Sequence, residues 1–85
     1  MTFTAAHVRE QGVEFTVVLV KPSANQPGRR ERTMRELGSA FPERLVVACS
    51  QDSRGVASYY GRRDIVAFLS NLLIEQLPWK EYRTS

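Results

Sequence analysis

Cys49 is the only thiol and His7 the only imidazole among 85 residues, so nucleophilic or general-base chemistry of the common kinds would have to run through these two side chains. Cys49 closes the apolar run Leu45-Val46-Val47-Ala48. In such a run a small thiol packs as an apolar group and stays protonated. No basic residue lies near it in sequence to favour the thiolate. His7 sits in a stretch that reads as an exposed strand face, where an imidazole is a solvated side chain. Nothing brings it to Cys49 as a dyad. One cysteine excludes an intrachain disulfide. No spacing of Cys, His and carboxylates matches a zinc or calcium site. The sequence therefore assigns no catalytic residue, no metal and no cofactor.

Anion chemistry has two candidate places. Lys21 to Arg30 follows an apolar strand and leads into a helix, where backbone N–H groups point outward and Arg29 and Arg30 add positive charge. The loop lacks the glycine-lysine pattern of a phosphate loop, and an ordinary connection is the simpler reading. Tyr59, Tyr60, Arg62 and Arg63 gather aromatic and guanidinium groups at a strand end, a combination that can stack and clamp single-stranded nucleic acid. The plainer alternative sends one tyrosine into the core and pairs the arginines with Asp64. The net charge of +3, from 12 basic and 9 acidic residues, is a mild excess with both signs interspersed. That pattern favours a solvated mixed surface over a nucleic-acid footprint.

The apolar residues are more informative. Trp79 and Tyr82 follow Pro78 on a short C-terminal tail, residues 78–85, too apolar for a free end. Such aromatics strap a domain's own core or anchor it on a partner. Their natural receptor is the apolar patch of Phe3, Val18 and Val20, which share one face of the first hairpin. The five residues together form a candidate interface, within one chain or across a homodimer.

The elements that must position these groups are readable in order. Gln11-Gly12 places a two-residue connection between two segments. Counting outward opposes Arg9 to Glu14, Val8 to Phe15, His7 to Thr16 and Ala6 to Val17, giving a charge pair and an aromatic–β-branched pair. Val17-Val18-Leu19-Val20 requires burial on both faces, as a central strand does. Lys21 to Gly28 is a loop in which Ser23 or Asn25 could cap a helix over Arg29–Leu37, with Gly38 ending it. Leu45–Cys49 reads as an interior strand, Gln51–Gly55 as a turn and Val56–Tyr60 as a strand paired back. Gly61 breaks that strand, and Arg62 to Glu75 reads as an amphipathic helix ended near Pro78.

This order predicts one α+β domain over residues 1–85, a two-layer ββαββα arrangement with β-hairpins and both helices packed on one face. Reading Ala5 to Gln11 as helix gives αβαββα instead. In that alternative an apolar strand, a turn with glycine, another strand and a glycine-led helix follow in series. The last half of the chain then resembles the distal part of a thioredoxin-like fold, which implies a protein retaining one thiol, Cys49, without the paired-cysteine signature.

Hydrophobic residues at 42 % and charged residues at 25 % describe a globular chain. No apolar run approaches a membrane span, and the free cysteine with no export-signal pattern fits a reducing cytosol. A domain of this size has a thin core and gains from a partner subunit. The sequence-based expectation is a cytoplasmic, non-catalytic interaction module that self-associates or meets an unidentified protein partner. Nucleic-acid binding is the first alternative and a degenerate thioredoxin-like protein the second.

Overall fold

Valine-rich runs that need apolar cover on both sides define the centre of the sheet. A computed structural model describes residues 2–10, 12–42 and 44–83. Strand β1 (Thr2–Glu10) turns into β2 (Val13–Leu19), and a 3-10 turn at Pro22–Asn25 leads to helix α1 (Arg30–Ala40). Strands β3 (Leu45–Gln51) and β4 (Ala57–Tyr60) follow, then helix α2 (Arg63–Leu69), a 3-10 turn at Ile74–Gln76 and strand β5 (Trp79–Arg83). The five strands form one mixed sheet in the order β4-β3-β2-β1-β5.

The first hairpin has the register counted from its turn: Arg9 opposes Glu14, Val8 opposes Phe15, His7 opposes Thr16 and Ala6 opposes Val17. Gly12 has φ +78°, the left-handed geometry a tight hairpin connection needs. Gln11, the other turn residue, lies outside the described residues. Residues 5–10 are thus strand, and the αβαββα alternative is corrected. The cross-strand match of Val8 with Phe15 and the Arg9–Glu14 ion pair at 2.7 Å outweigh the modest β-propensity of this stretch.

Strand β2 runs parallel to β3, so the chain must cross over a face of the sheet, and α1 is that crossover. It packs Leu37 and Phe41 on Ala5, Val18 and Ala48. Helix α2 packs Ile65 and Leu69 on Ala6, Phe15, Val17, Val47 and Cys49. The α+β class and the ββαββα order stand, with a fifth strand added. Each helix covers one face, however, and the faces differ, which corrects the expectation of a shared one. The cause is β2 itself: Val17 and Val18 point to opposite sides and both are fully buried, so each side needs its own cover.

Three boundaries also differ from expectation. Helix α1 continues through Gly38 to Ala40, because burial of Leu37 and Phe41 on the sheet holds the last turn and Phe41 N–H bonds to Leu37 O at 2.9 Å. Asn25 does not cap it. Its amide donates to Ser50 Oγ (3.1 Å) and to the Ser58 carbonyl (3.2 Å), tying the preceding 3-10 turn to β3 and β4. Helix α2 ends at Leu69, well short of Glu75, because Ser70 Oγ and Asn71 Nδ2 bond back to the carbonyls of Val66 and Ala67. Gly61 is required for a reason beyond strand breaking: a Cβ there would lie 3.0 Å from Val47 Cγ2 and 3.3 Å from the Val46 carbonyl oxygen.

Candidate functional site

The tail is not free. Strand β5 pairs antiparallel with β1, setting Trp79 beside Ala6 and Tyr82 beside Phe3. Alternation along the strand then sends the two aromatics to opposite faces. Trp79 packs on the α2 side, its indole N–H donating to the Ile74 carbonyl at 2.8 Å. Tyr82 packs on the α1 side, edge-on to Phe41 at 6.2 Å and to His7 at 4.5 Å between ring centroids. The two residues therefore share neither a surface nor a receptor.

The patch expected from Phe3, Val18 and Val20 is divided by depth. Val18 is fully buried beneath α1 within a single chain. Phe3 and Val20 remain half-buried and line a groove of about 980 Å³ between the far end of the first hairpin and α1. Leu37 and Ala40 form its helix wall, whereas Leu19, 38 % exposed, pairs with Cys49 and turns its side chain to the α2 side. Lys21 on the strand side and Glu36 on the helix side place opposite charges on its borders. The helix wall was not legible in the sequence as part of this site, because only the crossover brings it over the far end of β2. The lone clue is the narrow apolar seam of Met34, Leu37 and Phe41, which had to meet some apolar strand.

The arginine-rich candidates take other arrangements. Arg30 stacks over the Tyr60 ring at 4.4 Å, a cation–π contact that joins α1 to the edge strand β4. Arg62 holds Asp64 with both arms of its guanidinium, each at 2.8 Å. That contact keeps the Asp64 carboxyl below its ordinary pKa. Arg29 and Arg63 are exposed at the starts of the two helices. Tyr59 points to the α2 side and packs in the core with Cys49. Tyr60, not Tyr59, is the aromatic that Arg30 reaches.

Cys49 is fully buried, and burial pushes its thiol up to about 11, against a smaller opposing effect of the Tyr59 hydroxyl. His7 is half-buried, not solvated as its place on the hairpin suggested: Phe41 and Tyr82 flank its ring, and its Nδ1 lies 2.6 Å from Thr16 Oγ1. Cys49 faces the α2 side and His7 the α1 side of the sheet, so they form no dyad. Among the described residues, no group of three or more His, Cys, Asp or Glu side chains is placed to hold a metal ion. No described helix is long and apolar enough to cross a membrane. The groove, then, is a place to seat apolar side chains, with charges at its borders to set their register. Comparison of the chain with protein-family models, curated proteins and solved structures finds no match.

Proposed function

We propose that this chain is a non-catalytic interaction module and that its α1 groove receives the same face of a second copy. The observation that carries the reading is the groove itself: an apolar floor of Phe3 and Val20 beside a helix wall of Leu37 and Ala40, with Lys21 and Glu36 on opposite borders. A twofold pairing of identical faces must be self-complementary. One cation and one anion on facing walls meet that condition, since Lys21 of each copy would approach Glu36 of the other. Rim pairs of this kind add only about 0.2–1 kcal/mol each and mainly fix register. The exposed Arg32–Glu36 pair, at 3.4 Å within α1, is weak enough to exchange partners. Apolar burial in the groove would supply most of the affinity. A thin core in a chain of 85 residues adds a reason to associate.

Sedimentation equilibrium tests this directly. The wild type should dimerise, and Ala40→Glu, on the groove's helix wall, should be a folded monomer. Lys21→Glu and Glu36→Lys should each weaken association, and the double reversal should restore it. A wild type that stays monomeric at high concentration, or a dimer indifferent to Ala40→Glu, would overturn the proposal.

A further inference from the structure

Beyond the end of α1, the same face of the sheet carries a second, polar corner that the groove does not use. His7 sits there on β1, with Thr16 opposite it on β2 and Tyr82 edge-on from β5. The ring is fixed on two sides: Nδ1 lies 2.6 Å from Thr16 Oγ1, and the Phe41 ring stands 6.3 Å away. Beside it is a concavity of about 270 Å³ bordered by His7, Arg9, Glu14 and Arg44. Arg9 and Glu14 satisfy each other at 2.7 Å. Lys80 occupies the same face on β5, opposite Ala5. Among the described residues, the charged and titratable groups around the imidazole are therefore Arg9 on its own strand, Glu14 on β2, Lys80 and Tyr82 on β5, and Arg44 before β3.

We infer that this corner, between His7 and Arg44, binds a small inorganic oxyanion of the sulfate or phosphate type. Size is the first reason. A concavity of about 270 Å³ is smaller than pockets for drug-sized ligands or cofactors, which begin at roughly 300 Å³, yet holds much more than one water. Charge is the second. Among the described residues, the one carboxylate lining it, Glu14, is tied to Arg9, while Arg44 and Lys80 bring positive potential to the ring. Burial, then Arg44 and Lys80, all hold the His7 pKa below its ordinary value. An anion seated there would cancel the last two effects. Geometry is the third. A guanidinium presents a planar fork suited to an oxyanion. The Thr16 hydroxyl can donate to a neutral imidazole or accept from a charged one, so the Nδ1 contact survives protonation.

The inference is independent of the groove and of self-association. Its test uses the full chain and inorganic sulfate, whose charge stays constant from about pH 5 to pH 8, the range in which an imidazole titrates. His7 is the only histidine, so its ring Cε1–H resonance reports one titration. Saturating sulfate should raise the midpoint by about one pH unit, meaning roughly tenfold tighter binding to the imidazolium than to the imidazole. Sodium chloride at equal ionic strength should raise it much less. Arg44→Ala, at an exposed position, should abolish the sulfate-specific part, whereas the distant Arg63→Ala should keep it. Amide dispersion would confirm that both variants fold. Equal shifts in sulfate and chloride, or an undiminished sulfate effect in Arg44→Ala, would show ionic screening in place of a site and overturn the inference.

Discussion

Thr16 and His7 face each other across the β1–β2 pair, with the hydroxyl oxygen 2.6 Å from imidazole Nδ1. The pair is polar, yet Thr16 is fully buried and His7 is enclosed by Phe41 and Tyr82. A neutral imidazole suits these surroundings and an imidazolium does not. The His7 pKa is accordingly lowered, first by burial and then by Arg44 and Lys80.

The direction fixes a pH dependence. A histidine whose folded pKa lies below its unfolded value, near 6.5, binds fewer protons in the native state. Its contribution is fully present above that pH and is lost as pH falls through the unfolded and then the folded pKa. Urea denaturation in chloride buffers should show stability declining from about pH 7 to pH 5. His7→Gln should flatten that slope. Asp52 and Asp64, whose pKa values are also lowered, act only below the ordinary carboxylate range near 3.8 and leave this window clear. An unchanged slope in His7→Gln would assign the pH dependence to other groups.

Two glycines in the fold should respond with opposite signs. Gly38 lies within α1, and a Cβ there meets nothing within 4 Å. Gly38→Ala should stabilise by about 0.5–1 kcal/mol through helix propensity and a less flexible unfolded chain. Gly61→Ala must instead fit a methyl against Val47 Cγ2 and the Val46 carbonyl, and overpacking of that kind costs about 1–3 kcal/mol. Thermal or urea melts of the two variants give the signs directly.

Aromatic truncation should rank by depth. Phe15 is almost wholly buried, while Phe68 is only half-buried and meets Phe15 edge-on at 6.2 Å. Phe15→Ala should cost about 3–5 kcal/mol. Phe68→Ala should cost distinctly less, about 1–3 kcal/mol, since a smaller part of its area returns to water. Equal losses in chemical denaturation would mean that Phe68 carries the α2 contact alone.

Cys49 should be unreactive in the native state. A fully buried thiol with a pKa pushed up to about 11 offers little thiolate near neutral pH. Alkylation should be slow in buffer and rise steeply through the urea unfolding transition. Cys49→Ala should fold with a loss of about 1 kcal/mol, the scale of one small buried group. Fast native labelling would contradict this directly.

Much of the sheet was legible because its signals are local. The Gln11-Gly12 connection sets the β1–β2 register, and Asp52 makes the β3–β4 turn by accepting bonds from the N–H groups of Arg54 and Val56. What was hidden depends on distant pairing. Trp79 to Arg83 sets its two aromatics three residues apart, without the period of two that identifies a strand, and only the open edge of β1 makes it one. The Val17-Val18 run signalled two buried faces, but not which helix covers which. For the groove, Phe3 and Val20 were within reach of periodicity. The Leu37–Ala40 wall was not, and neither was the identity of α1 as the cover over Val18. His7 was missed as a half-buried group because Tyr82 and Phe41 approach it from elements far away in sequence.

The pairing of Thr2 with Arg83 joins positions near opposite ends of the described chain. During synthesis from the N-terminus, β1 can pair with β2 early, but its outer edge has no neighbour until residues 79–83 leave the ribosome. That edge is a template for intermolecular strand addition for as long as it stays open. Closure of the longest loop in the fold is also its entropically slowest step. The last strand thus acts as a seal: until it docks, the outer edge of β1 is open to a neighbouring chain's strand.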